Sequence, residues 1–158
     1  MKHSIFSVLK AALPAVAGVI LTAQVSFADG FIEPSANLSA QEVVEVQLLG
    51  LQSEDKAAGI EQVWIFAHPD NKKVTGPLAR FARLFDAPAY APMIGHVSYA
   101  IEPLDQHNGV ARFVVQIQAK DGRSYGYLWV VRQVQTGPEA GFWMTSAVSA
   151  PRGNGAAS

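Results

Sequence analysis

Two hydrophobic periods run along the chain, and the change between them falls at Gly95. Before it, apolar residues recur every three to four positions, as on helices packed along one side; after it they recur every second position, as on half-buried strands. Val44, Leu48 and Leu51 share one helical face, widened by Val43 and Leu49. Ser39 with Glu42 predicts a capping box at its start, and Leu38 against Val43 a hydrophobic staple. A second helix is expected from Asp55, carrying Ile60, Val63, Trp64 and Ala67, and stopping at His68-Pro69 because proline disfavours helical geometry in the residue before it. The third is expected from Thr75, with Pro77 in its first turn and a buried stripe of Leu78, Phe81, Ala82 and Phe85. Asp86 and Pro88 end it.

The strands follow from period-2 alternation and turn residues. In "HVSYAIE", Val97, Tyr99 and Ile101 alternate on one face, and Glu102 is expected at the strand end before Pro103. "VARFVVQIQAK" lies between Asn108-Gly109 and Asp121-Gly122, both hairpin signals. "SYGYLWVVRQV" puts Tyr125, Tyr127, Trp129 and Val131 on one face, with Leu128 and Val130 on the other. "FWMTSAVS" closes the series after "TGPEAG". The prediction is an α+β domain over residues 38–150, with three N-terminal helices packed on a curved four-stranded antiparallel sheet. Residues 29–37 and 151–158 are small, polar and aperiodic, and are expected to be flexible.

The first 28 residues change the picture of compartment. Lys2 and Lys10 precede and flank an apolar stretch from Ala11 to Ala23, and Ser26 and Ala28 stand three and one before a cut after Ala28. This predicts a bacterial-type secretory signal and an exported protein, periplasmic or secreted, with no membrane span after cleavage. The apolar run is shorter than the ~20 residues that span a bilayer. Cleavage removes two of 12 basic residues and none of 13 acidic ones, leaving a formal charge of −3 on 130 residues. Such a chain is not built to neutralise nucleic-acid phosphates. Without cysteine there are no disulfides or thiolate metal sites.

"VWIFAHPDNKKVTGPLARFARLFDAPAYAPMIGHVSY" and the later "DGRSYGYLWVVRQ" resemble the bacterial and plant family catalogued as domain of unknown function 4864. Three helices before a curved four-stranded sheet resemble the cone-shaped fold of the nuclear transport factor 2-like (cystatin-like) superfamily. The resemblance covers about Val43 to Ala150 and implies a fold rather than a mechanism, because the family has no established activity. Relatives in the superfamily that are isomerases, dehydratases or epoxide hydrolases keep an acid–base pair inside the cone. No such motif matches here residue by residue.

The placement of titratable residues weighs against an enzyme. Among the strands only Glu102 is a carboxylate, at a strand end, while Asp105, Asp121 and Glu139 fall in turns or loops; Glu42, Glu45, Glu54 and Glu61 read as helix caps or solvent-face residues. His68 reads as a cap or packed ring at a helix C-terminus, or as a catalyst. His96, after Gly95, reads as a strand-end residue, or as one facing the cone mouth. No histidines have metal-ligand spacing, so no metal or cofactor is expected. Lys72-Lys73 with Arg80 and Arg83 read first as a solvated face and second as an anion site.

A binding pocket has better support from composition. Apolar walls with few polar groups characterise small-molecule sites, and the candidate residues are His68, Tyr90, His96, Tyr99, Arg112, Gln116, Tyr127 and Trp129. Tyr90 and Met93, in the proline-rich connection "DAPAYAPMIGH", are expected to plug one end of the cone. The two-sided apolar strand 124–134 also suggests a homodimer through the sheet, since large exposed apolar patches are rare on monomers. The expected function is therefore a non-enzymatic domain binding a small apolar ligand or a protein partner, an envelope protein among them. The alternatives are a hydrolase or isomerase using a histidine with a tyrosine, and a structural envelope-associated protein.

Overall fold

A computed structural model describes residues 30–150 of the chain. The expected signal peptide and the C-terminal tail lie outside the described residues. The order is α1 (Ala40–Leu51), α2 (Lys56–Ile65), α3 (Pro69–Thr75), α4 (Leu78–Ala82), β1 (Ser98–His107), β2 (Val110–Gln118), β3 (Ser124–Gln133) and β4 (Trp143–Val148). Single 3₁₀ turns cover Arg83–Asp86 and Ala91–Met93.

α1 starts as the sequence predicts. Ser39 Oγ accepts from the Glu42 amide, and Glu42 returns a carboxylate to the Ser39 amide. Val43, Val44, Leu48 and Leu51 are all buried.

The helix count is corrected from three to four. α2 ends at Ile65, before His68, and Pro69 opens a helix as well as excluding one before it. Proline lacks an N–H that the first helical position does not need. His68 supplies the N-cap, its Nδ1 accepting from the Asp70 amide at 3.2 Å. The helix expected from Thr75 starts instead at Leu78, because Thr75 closes α3. Arg80 then donates to the carbonyls of Val74 and Thr75, which the end of α3 leaves without helical partners.

α1 and α2 cross at Gly50 and Gly59. A Cβ on Gly59 would collide with the Gly50 carbonyl oxygen, so the backbones approach as closely as glycine allows. Residues 30–37 have neither helix nor strand, yet Ile32 is held through both backbone groups. Its amide donates to Gln62 Oε1 at 2.9 Å, and its carbonyl accepts from Gln62 Nε2 at 2.8 Å.

The sheet is antiparallel in the order β1-β2-β3-β4. Asn108 and Gly109 both have positive φ, 50° and 71°, the backbone of a tight two-residue hairpin. β1 does not end at Glu102. It continues to His107 through a register shift between Pro103 and Asp105, tolerable for proline because β1 is an edge strand. Val97 precedes the strand and is 64% exposed. Phe113, Val115 and Ile117 of β2, with Tyr127, Trp129 and Val131 of β3, join the helices in one core.

The β4 edge is partly covered. Thr145 donates its amide to Phe66 O and accepts from the His68 amide, both at 2.8 Å, in a parallel bridge centred on Ala67 and Thr145. Ala67, expected on a helix face, thus acts as a one-residue strand.

Candidate functional site

The bridge between Ala67 and Thr145 also forms the wall of a cavity. A space of about 230 Å³ lies between the helical layer and the β4 edge. Its floor is made by Gln47, Met93, Trp129 and Thr145, all 3% exposed or less. Val63, Ala67, Phe81 and Phe85 form apolar walls. Asn71, Thr75, Leu84 and Ala147 are more exposed and mark the open side. Among them Leu84 is 37% exposed, an apolar residue at the rim.

The floor carries one buried polar cluster. Thr145 Oγ1 accepts from Gln47 Nε2 at 2.8 Å and from Trp129 Nε1 at 3.0 Å. Gln47 Nε2 also donates to the Val43 carbonyl one turn back in α1, which fixes the amide orientation. Gln47 Oε1 is then left buried without a hydrogen-bond partner. The other polar side chains around the cavity are engaged. Asn71 Nδ2 donates to Thr145 O, and Thr75 Oγ1 to Asn71 O and Oδ1. Ser146 Oγ donates to Val130 O, and Tyr90 OH to Val148 O at 3.0 Å.

Of the eight residues singled out from sequence, Tyr90 and Trp129 line this cavity. Tyr127 lies behind Tyr90, their rings stacked at 6.4 Å, and its hydroxyl donates to Ala89 O. Burial holds the Tyr127 hydroxyl well above the ordinary phenol range. Met93, expected with Tyr90 as a plug, lines the cavity beside it.

The remaining five lie elsewhere. Arg112 and Gln116 are exposed, on the sheet face opposite Phe113 and Val115. Arg112 forms a two-toothed ion pair with Asp105 of β1, its Nη2 lying 2.6 Å from Oδ2. His68 and His96 are buried, but neither lines the cavity. His68 Nδ1 accepts, so the proton sits on Nε2; His96 Nδ1 is 2.7 Å from the Met93 carbonyl, so Nδ1 carries the proton and Nε2 the lone pair. Both Nε2 atoms are buried without partners. Burial depresses both imidazole pKa values; for His68 the nearby Arg132 adds to this. Tyr99 meets the His96 ring edge-on at 5.7 Å, but its hydroxyl donates to Glu45 at 3.4 Å.

Lys72, Lys73 and Arg80 also have structural occupations. Lys73 pairs with Asp70, and Lys72 Nζ donates to Ile65 O while lying 5.6 Å from the Trp64 ring centre. Among the described residues, no group of three His, Cys, Asp or Glu side chains is arranged to hold a metal ion. No described helix is long and apolar enough to cross a membrane.

Sequence reasoning did not find Gln47 or Thr145. Gln47 falls on the apolar face of α1 one residue before Leu48, and that misplacement of a polar residue was the available signal. No protein-family model, curated protein or solved structure matches the chain.

Proposed function

We propose that this chain is an exported domain that binds a small, mainly apolar molecule in the cavity between its helices and β4. The carrying observation is the cavity itself: about 230 Å³, lined by Val63, Ala67, Phe81, Phe85, Met93 and Trp129, with an opening beside Leu84. An apolar cavity of about 150 Å³ already accepts benzene, so this space takes one aromatic ring or a short aliphatic chain. It is smaller than the roughly 300–1,000 Å³ sites of drug-sized ligands. The lining includes no carboxylate, amine, guanidinium or imidazole. General acid–base work is done most often by such groups or by a tyrosine, and the one tyrosine of the lining, Tyr90, has its hydroxyl committed to Val148 O, so binding without turnover is the better reading.

Export rests on the basic, apolar and small-residue pattern of residues 1–28. The cone-shaped, nuclear transport factor 2-like classification, and membership of the domain of unknown function 4864 family, rest on the resemblance and on the helices-then-meander order. Native mass spectrometry of residues 29–158 purified from its exported form tests the binding reading. A co-purifying small molecule supports it, and an apo protein that no small apolar compound stabilises would sink it.

A second reading, compatible with the first, is a homodimer through the outer sheet face. It is favoured by one observation: half-buried Val114 and Leu128 pair across β2 and β3, with Val130 in the next row and exposed Leu104 beyond. Light scattering during size exclusion distinguishes the monomer from the dimer, and Leu128→Lys is expected to return a dimer to monomer.

A further inference from the structure

The cavity's polar floor narrows the chemistry of what it holds. Gln47, one of the residues that line the cavity, is fully buried, its Nε2 is committed to Val43 O and Thr145 Oγ1, and its Oε1 is buried without a hydrogen-bond partner. An isolated buried acceptor of this kind is destabilising until a donor reaches it. Thr145 Oγ1 receives two N–H groups, which occupies its lone pairs and leaves its hydroxyl hydrogen for donation. A free acceptor and a free donor therefore stand on neighbouring, mutually bonded side chains.

Both are satisfied by one group that donates and accepts, and a hydroxyl is the smallest that does. A charged group is disfavoured at the same place. No ionised side chain lines the cavity to compensate it, and burying an unpaired carboxylate or ammonium is far more costly than burying a hydroxyl. The α1 dipole offers no help, since Gln47 lies mid-helix rather than at a terminus.

We propose that the ligand is a neutral, hydroxyl-bearing small molecule of phenol or short-alcohol type. Its hydroxyl donates to Gln47 Oε1 and accepts from Thr145 Oγ1, while its apolar body lies against Phe81, Phe85, Met93 and Trp129. This rests on the cavity-binding reading above and adds the identity of the polar head.

The test compares three probes of similar size, phenol, toluene and benzoate, titrated into the 29–158 protein and followed through the Trp129 indole and Gln47 side-chain amide resonances. A hydrogen bond worth about 1 kcal/mol gives phenol about a fivefold tighter affinity than toluene. Benzoate is expected not to bind. Gln47→Met preserves length and removes the acceptor; there, toluene binding is expected to persist and the phenol preference to vanish. If that variant does not fold, the wild-type Gln47 amide resonances decide, shifting with phenol and not with toluene if the proposal holds. Toluene binding as tightly as phenol, or benzoate binding as well as either, overturns the hydroxyl proposal and leaves the cavity reading standing. No binding by any of the three overturns both.

Discussion

Gln47 and Thr145, 98 residues apart in sequence, are joined by a fully buried hydrogen bond of 2.8 Å. It ties the middle of α1 to β4 at the floor of the cavity. The Trp129 indole donates to the same hydroxyl, so three elements share one oxygen. Leaving a buried donor unpaired costs about 1–3 kcal/mol. Thr145→Val keeps the shape and removes the acceptor, and is expected to lower unfolding stability in urea by about 2 kcal/mol. Thr145→Ser, which retains the oxygen, is expected to recover most of that loss. Equal losses in the two variants would show that the hydroxyl is not the tie.

The crossing of α1 and α2 gives a prediction whose sign is diagnostic. In an ordinary helix interior, Gly→Ala stabilises by about 0.5–1 kcal/mol. At Gly59 the added methyl meets the Gly50 carbonyl oxygen, a backbone atom that cannot rotate away. Gly59→Ala is therefore expected to destabilise, by about 3 kcal/mol or more, since overpacking against fixed atoms exceeds the propensity gain. A raised melting temperature would contradict the close crossing.

Acid is expected to weaken the fold through two histidines. His68 and His96 are both held below the ordinary value of 6.5, in each case chiefly by burial; the Met93 carbonyl opposes this at His96 without cancelling it. The unfolded chain then binds protons first, so stability is full above pH 6.5 and falls as pH drops below it. His96→Asn places an uncharged donor near the Met93 carbonyl. Its stability is expected to fall less steeply than wild type between pH 6.5 and 5 in matched urea titrations. Parallel pH curves would remove His96 from the account.

Filling the cavity separates its volume from its polar floor. Ala67 is 1% exposed and lines the space. Ala67→Leu is expected to abolish thermal stabilisation by toluene while the empty protein keeps a melting temperature near wild type or above. Toluene stabilisation surviving the substitution would place the bound molecule elsewhere.

Local rules made most of the fold legible. The capping box, the α1 stripe, β2, β3, β4 and the Asn108-Gly109 turn all depend on neighbouring residues and appear where the pattern puts them, whereas β1 starts one residue later, at Ser98, and runs on past Glu102 through Asp105 to His107. The α3 helix was hidden because Pro69 serves equally as a stop and as a start, and only the His68 cap decides between them. The site was less legible. Aromatic alternation on β3 led to Trp129, and the proline-rich connection led to Tyr90, both at the cavity. Arg112 and Gln116 were drawn in by strand position, but period-2 geometry alone does not say which face the helices cover. Gln47 and Thr145 meet only through the tertiary pairing of α1, β4 and the Ala67 bridge, which no local pattern encodes.

The central claim, a cavity that takes a small apolar molecule, is tested most directly by a toluene titration followed in a two-dimensional amide NMR spectrum. The account predicts a saturable, 1:1 change at the Trp129 indole and at Phe81, Phe85, Met93 and Thr145, with residues of the outer sheet face such as Gln116 unmoved. Cavity resonances that stay fixed to the solubility limit of toluene, or shifts confined to the outer sheet face, would contradict it.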